Sequence, residues 1–161
     1  RSASMGEGIN VIVAAQMLAQ NPSISLDELA TATAKWCEKT KLYGALDTLE
    51  NLKKGGRVSG AKAFFASALA IKPIVEIHEG KIVEGGKERT RSKALAFLVE
   101  KVKSAGPITN LAVLHAQCSD LDAFVEQLKG VYSGEIIVGD VGSVIGSHTG
   151  IGTMGVTFHV K

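Results

Sequence analysis

The sequence predicts an α/β domain in which helices flank a mixed β-sheet, and two observations carry that prediction. Apolar residues recur at helical spacing in some segments and alternate with polar ones in others. Glycine, 18 of 161 residues against a usual share of about 7%, clusters in short stretches between those segments, as turns of an α/β domain do. With 45% apolar residues the chain is long enough to bury one substantial core.

The elements follow in order. Ser4-Met5-Gly6-Glu7 has the S-x-x-E spacing of a capping box, and residues 9–18 after it are apolar nearly all round, which predicts a deeply buried helix. Ser25-Leu26-Asp27-Glu28 repeats the box, and Leu26, Leu29, Thr33, Trp36 and Cys37 mark a helical stripe to about Lys39. A short strand is expected over 42–46. Thr48 then caps a short helix carrying Leu49 and Leu52, which Gly55-Gly56 ends. Residues 59–70, alanine-rich with Phe64 and Phe65, read as a helix. Pro73 opens a strand to His78, Glu79-Gly80 turns it, and 81–84 returns as a hairpin partner. Ala94, Leu95, Leu98, Val99 and Val102 define a helix stopped by Gly106-Pro107. Strand 108–115, helix 121–128 and strand 135–138 have the spacing of a right-handed parallel crossover. The last strands are expected over 143–146 and 153–160.

Composition excludes several classes. Eighteen basic against sixteen acidic residues give +2, and few aromatics interleave with them, which argues against nucleic acid. Cys37 and Cys118 have no C-x-x-C spacing, so a reduced, cytoplasmic setting is the default and Cys37 reads as a buried helix residue. No apolar run reaches eighteen residues. Gly150, Gly152 and Gly155 spell G-x-G-x-x-G, but a strand-like alternation follows where a nucleotide-binding turn needs a helix. No nucleophile elbow, zincin helix or Walker loop occurs. His115 and Cys118 make an H-x-x-C pair, two ligands short of a tetrahedral site, so no metal or cofactor is expected. His78 and His159 read as ordinary strand residues.

Three stretches combine polar groups with backbone freedom. Ser4 precedes an apolar helix, where its hydroxyl is either a plain N-cap or, with the free N–H groups, part of an anion site that Glu7 would oppose. Residues 53–60, KKGGRVSG, present Arg57 and Ser59 either as donors for a carboxylate or phosphate or as a helix stop with a solvated arginine. His148-Thr149 falls among Gly146, Gly150 and Gly152, where a glycine-rich loop between two strands is expected to hold the imidazole for a ligand. Together they suggest a ligand with an acidic head and an apolar body.

The stretches SASMGEG, LDTLENLKKGGRVSG, IKPIVEIHEGKIVEGGKERTRSKAL and IGSHTGIGTMGVTF, in this order, closely resemble the C-terminal half of DegV family fatty-acid-binding proteins over essentially the whole chain. The resemblance implies a two-domain α/β protein that buries a long acyl chain in its C-terminal domain, holds the carboxylate near the domain junction, and presents it to a separate fatty acid kinase. Residues 1–161 would be that C-terminal domain, and the family's N-terminal domain, with other carboxylate contacts, is expected to be missing. Ser4 matches the second serine of the family's D-S-x-x-x-S signature and would bond the carboxylate. Arg57 falls in the GGR segment and His148 in the H-T-G-P-G segment, where Ile151 replaces the proline. The apolar helix 9–18 and Phe64-Phe65 are candidates for the tunnel lining.

The leading expectation is therefore a non-catalytic carrier with Ser4, Arg57, Ser59, His148 and Thr149 at the head group, no cofactor, and compatibility with transient membrane contact. Two rivals stay open: a small phosphotransferase or hydrolase using His148 as acid or base and Arg57 as clamp, and a folded fragment inactive without its N-terminal domain.

Overall fold

A computed structural model describes residues 2–56 and 71–161. The helix expected over 59–70, with Phe64 and Phe65, lies outside the described residues, as do Arg57 and Ser59. The described elements run α1 (Met5–Gln20), α2 (Leu26–Lys39), β1 (Thr40–Ala45), α3 (Glu50–Lys54), β2 (Lys72–His78), β3 (Lys81–Glu88), α4 (Arg91–Ser104), β4 (Ile108–His115), α5 (Leu121–Lys129), β5 (Ile137–Asp140), α6 (Ser143–Thr149) and β6 (Met154–Val160).

The strands form one mixed sheet in the order β3-β2-β1-β6-β4-β5. Among the described strands only β4 and β5 pair in parallel, joined by α5 as the spacing predicts, though β5 lies two residues beyond the expected 135–138. Alternation along β6 sorts the two faces. Met154, Val156 and Phe158 point into the main core with Leu95, Leu98, Phe124 and Leu128 of α4 and α5. Burying each such side chain contributes about 1.5–3 kcal/mol. The intervening Gly155, Thr157 and His159 face the other side, where α1, α2 and α3 pack.

Several turns form for the reasons the sequence supplies. Glu79 and Gly80, with φ of 49° and 76°, make the left-handed two-residue turn that suits a tight hairpin. Ser25 and Glu28 close a reciprocal capping box. The Thr48 hydroxyl accepts from the Glu50 N–H at 3.2 Å.

Four expectations need correction. The box at Ser4 does not form: Ser4 has φ 53° and its side chain makes no cap bond, so α1 begins without one. That helix is not deeply buried. It lies on the sheet with α2 as its helical neighbour, so the row Gly6, Ile9, Asn10 and Val13 is covered while Val11 is 67% exposed. The segment expected as a strand over 143–146 is helix α6, closed by Gly146 N–H to Gly142 O at 2.8 Å and Gly150 N–H to Gly146 O at 2.7 Å. Two adjacent apolar residues, Val144 and Ile145, do not distinguish the two periods, and His148 consequently sits on a helix rather than a loop. Finally, β3 runs four residues beyond 84, through Gly85 and Gly86. A Cβ on Gly85 would press on the β2 backbone at 3.2 Å, and one on Gly86 would come within 2.7 Å of the Phe97 ring, so these glycines permit close packing at a bulge instead of ending the strand.

Candidate functional site

The α1/α3/α6 face of the sheet carries a cavity of about 470 Å³. Its floor crosses four strands: Val75 and Ile77 of β2, Leu42 and Gly44 of β1, Gly155 of β6 and Leu114 of β4. Position i, i+2 spacing puts Leu42, Gly44 and Leu46 on the same side. Val144 and Ile145 of α6, with Leu52 of α3, supply further apolar wall. Polar groups enter from Ser2 and Ser4 ahead of α1, from His148 and Thr149 of α6, and from Thr153. Lys81 of the β2–β3 hairpin stands at the lining as well.

Three of the five expected head-group residues, Ser4, His148 and Thr149, thus line one cavity although 144 positions separate the first two. Helical geometry explains the pair on α6, since Ile145, His148 and Thr149 stand at i, i+3 and i+4 and share a face. The Thr149 hydroxyl donates to the Ile145 carbonyl at 3.2 Å. The Ser4 hydroxyl caps nothing, and Glu7 is exposed. His148 Nδ1 is buried with no hydrogen-bond partner among the described residues.

Glycines set how close α3 comes to α6 and its following loop. A Cβ on Gly55 would overlap His148 Nδ1, one on Gly150 would overlap Asn51 Nδ2, and one on Gly152 would overlap Asp47. Gly150 and Gly152 also have φ of 86° and 83°. The G-x-G-x-x-G spacing therefore serves a tight, closely packed turn, with Gly155 already inside β6.

Charged groups brace that turn. Arg91, at the start of α4, donates from Nε and Nη2 to the two carboxylate oxygens of Asp120 at 2.6 and 2.8 Å, and from Nη1 to the Gly152 carbonyl at 2.5 Å. Asp47 accepts from Lys72 at 2.9 Å and from Arg91 Nη1 at 3.4 Å. The Arg91 bond holds the Asp120 carboxyl below its ordinary pKa, and Asp120 raises that of Arg91. Gly152 N–H donates to Ala116 O at 2.8 Å, completing the tether. The expected H-x-x-C pair is divided by these contacts: His115 Nδ1 accepts from the Cys118 N–H at 3.4 Å, Nε2 faces Asp140 at 3.2 Å, and the Cys118 thiol donates to Thr153 O at 3.2 Å. No cluster of three metal-ligating side chains occurs among the described residues.

Sequence reading passed over a second polar constellation beneath α1. His159 is wholly buried, with Nε2 3.1 Å from Asn10 Oδ1 and Nδ1 3.1 Å from Asn110 Nδ2. Asn10 accepts the Nε2 proton and Asn110 donates to Nδ1, which fixes the neutral tautomer. Burial, with Lys39 nearby, pushes the His159 pKa down to about 4. Its signal was Asn10 as the one polar residue in the run 9–15. Arg91 was likewise passed over, because nothing local distinguishes it from a solvated helix residue.

The family model described as "Uncharacterised protein, DegV family" matches residues 1–161. A DegV domain-containing protein of Streptomyces coelicolor is 39% identical over 137 residues, covering 82% of this chain and 49% of the relative. Among solved structures, the fatty-acid-binding DegV family protein of Thermus thermophilus superposes with a TM-score of 0.87 at 28% identity, over 99% of this chain and 59% of that one. DegV of Bacillus subtilis, a fatty acid binding protein, gives 0.79 at 30% identity over 98% and 57%. The chain spans about half the length of the relatives it matches.

Proposed function

The chain belongs to the DegV family, and from that premise we propose that it binds a long-chain fatty acid in the cavity over β1 and β6. The observation that carries the reading is a cavity with an apolar floor whose lining also includes Ser4, His148 and Thr149. Each methylene moved from water to such a floor contributes about 0.8 kcal/mol, while the carboxylate requires donors when it leaves bulk water. The Ser4 hydroxyl, which caps nothing among the described residues, and the His148 imidazole at the cavity lining supply groups of that kind. Arg57 and Ser59 are proposed as further head-group contacts on sequence grounds, Thr149 as a wall residue whose hydroxyl can add a bond by releasing Ile145.

The role is that of a carrier that presents the carboxylate to a separate fatty acid kinase. A catalytic histidine needs an orienting partner on its second nitrogen, and no such partner meets His148 Nδ1 among the described residues, which favours binding over catalysis. Further length in the relatives is proposed to supply more carboxylate contacts.

Native mass spectrometry of the purified chain, followed by lipid extraction, tests the reading. Stoichiometric fatty acid is the expected result. An apo mass that stays apo after incubation with palmitate, oleate and stearate refutes binding by this chain.

A further inference from the structure

Gly44 lies in β1, one of the two central strands of the sheet. A glycine inside a central strand weakens it, since it adds backbone entropy to the unfolded chain and packs no side chain. Two local causes commonly require one: left-handed backbone, or no room for a Cβ. Neither applies. The backbone of Gly44 is not left-handed. Among the described residues, the one heavy atom near a Cβ built there is Val75 Cγ2, at an ordinary contact distance of 3.6 Å. Its cross-strand partner Gly155 is the opposite case, because a Cβ there would sit 3.0 Å from the Tyr43 carbonyl oxygen and 3.4 Å from Leu114 Cδ1. A Cβ would be tightly held at Gly155, whereas at Gly44 the described residues leave room for one.

The space a side chain at Gly44 would take is the cavity itself, at the middle of the four-strand floor. We infer that Gly44 is a positioning residue, left bare so that a long acyl chain can cross β1 and β6 without being lifted off the floor. This rests on the fatty-acid reading above and adds that the acyl chain lies across Gly44, so that a side chain there displaces it.

The test titrates the wild-type chain, Gly44→Ala and Gly44→Leu with laurate and palmitate, with thermal melts alongside. The expected outcome is a loss of affinity for both lipids of about tenfold or more in Gly44→Leu, a smaller loss in Gly44→Ala, and a melting temperature unchanged or raised in Gly44→Ala. Should Gly44→Leu fail to fold, Gly44→Ala decides by its loss of palmitate affinity at an undiminished melting temperature. Unchanged affinity for both lipids in folded variants overturns the inference while leaving fatty-acid binding intact. Failure of the wild type to bind either lipid overturns both.

Discussion

His148 rests its imidazole on Gly55, with Nδ1 where the Cβ of any other residue would be. The contact joins the end of α3 to the end of α6 and fixes how far the imidazole stands over the cavity. Gly55 has φ −79° and ψ −4°, a right-handed conformation that alanine adopts freely. Glycine is needed there for proximity, not for backbone freedom.

Gly55→Ala is therefore expected to lower fatty-acid affinity about tenfold, or about 1.4 kcal/mol, while changing folding stability by less than about 1 kcal/mol. Isothermal titration and urea unfolding check the two halves. In a His148→Ala background the same substitution should cost no further affinity, which separates displacement of the ring from general disturbance of α3.

The two Ser-x-x-Glu sequences should respond in opposite ways. Ser25→Ala removes a formed capping box and is expected to cost about 1 kcal/mol of stability with no change in ligand affinity. Ser4→Ala removes no cap, so its stability change should stay within about 0.5 kcal/mol while fatty-acid affinity falls by about tenfold. Chemical denaturation and a binding titration on both variants distinguish the roles.

Arg91→Lys keeps the charge but loses the planar fork that spans Asp120 and reaches Gly152. A loss of about 1.5–3 kcal/mol is expected. Hydrogen exchange should locate it: the Gly152 amide, bonded to Ala116 O, should exchange faster, whereas amides of α2 should be unaffected. Uniform acceleration across the chain would contradict a brace confined to the turn.

Acid should weaken the fold through His159. Its folded pKa, about 4, lies below the unfolded value of about 6.5, so the unfolded chain binds the proton first as pH falls. The stabilisation is fully present above about pH 6.5 and is lost as pH falls toward 4, amounting to roughly 2 kcal/mol between about pH 7 and about pH 5. Urea midpoints across that window measure it. His159→Gln, which does not titrate, should flatten the dependence even if the protein is less stable throughout.

The strands and most helices were legible because their causes are local. Alternation in 154–160, the hairpin turn at Glu79-Gly80 and the capping box at Ser25 each depend on residues a few positions apart. The candidate site was legible only in part. His148 and Ser4 could be singled out by their glycine and helix-start contexts, yet the second Ser-x-x-Glu looked identical to the first. Arg91 and Asn10 carried little local sign of their partners, which lie 61 positions away at Gly152 and 149 away at His159.

By itself, then, the sequence determined the alternation of helices and strands, since this follows from periods of two and 3.6 that neighbouring residues impose on one another. Tertiary structure decided that 143–149 is a helix, that Ser4 is not a cap, and that, among the described residues, Gly44 has room for a Cβ while Gly155 is crowded. Each of those outcomes depends on what a distant segment brings within a few ångströms, and short-range periodicity contains no record of that.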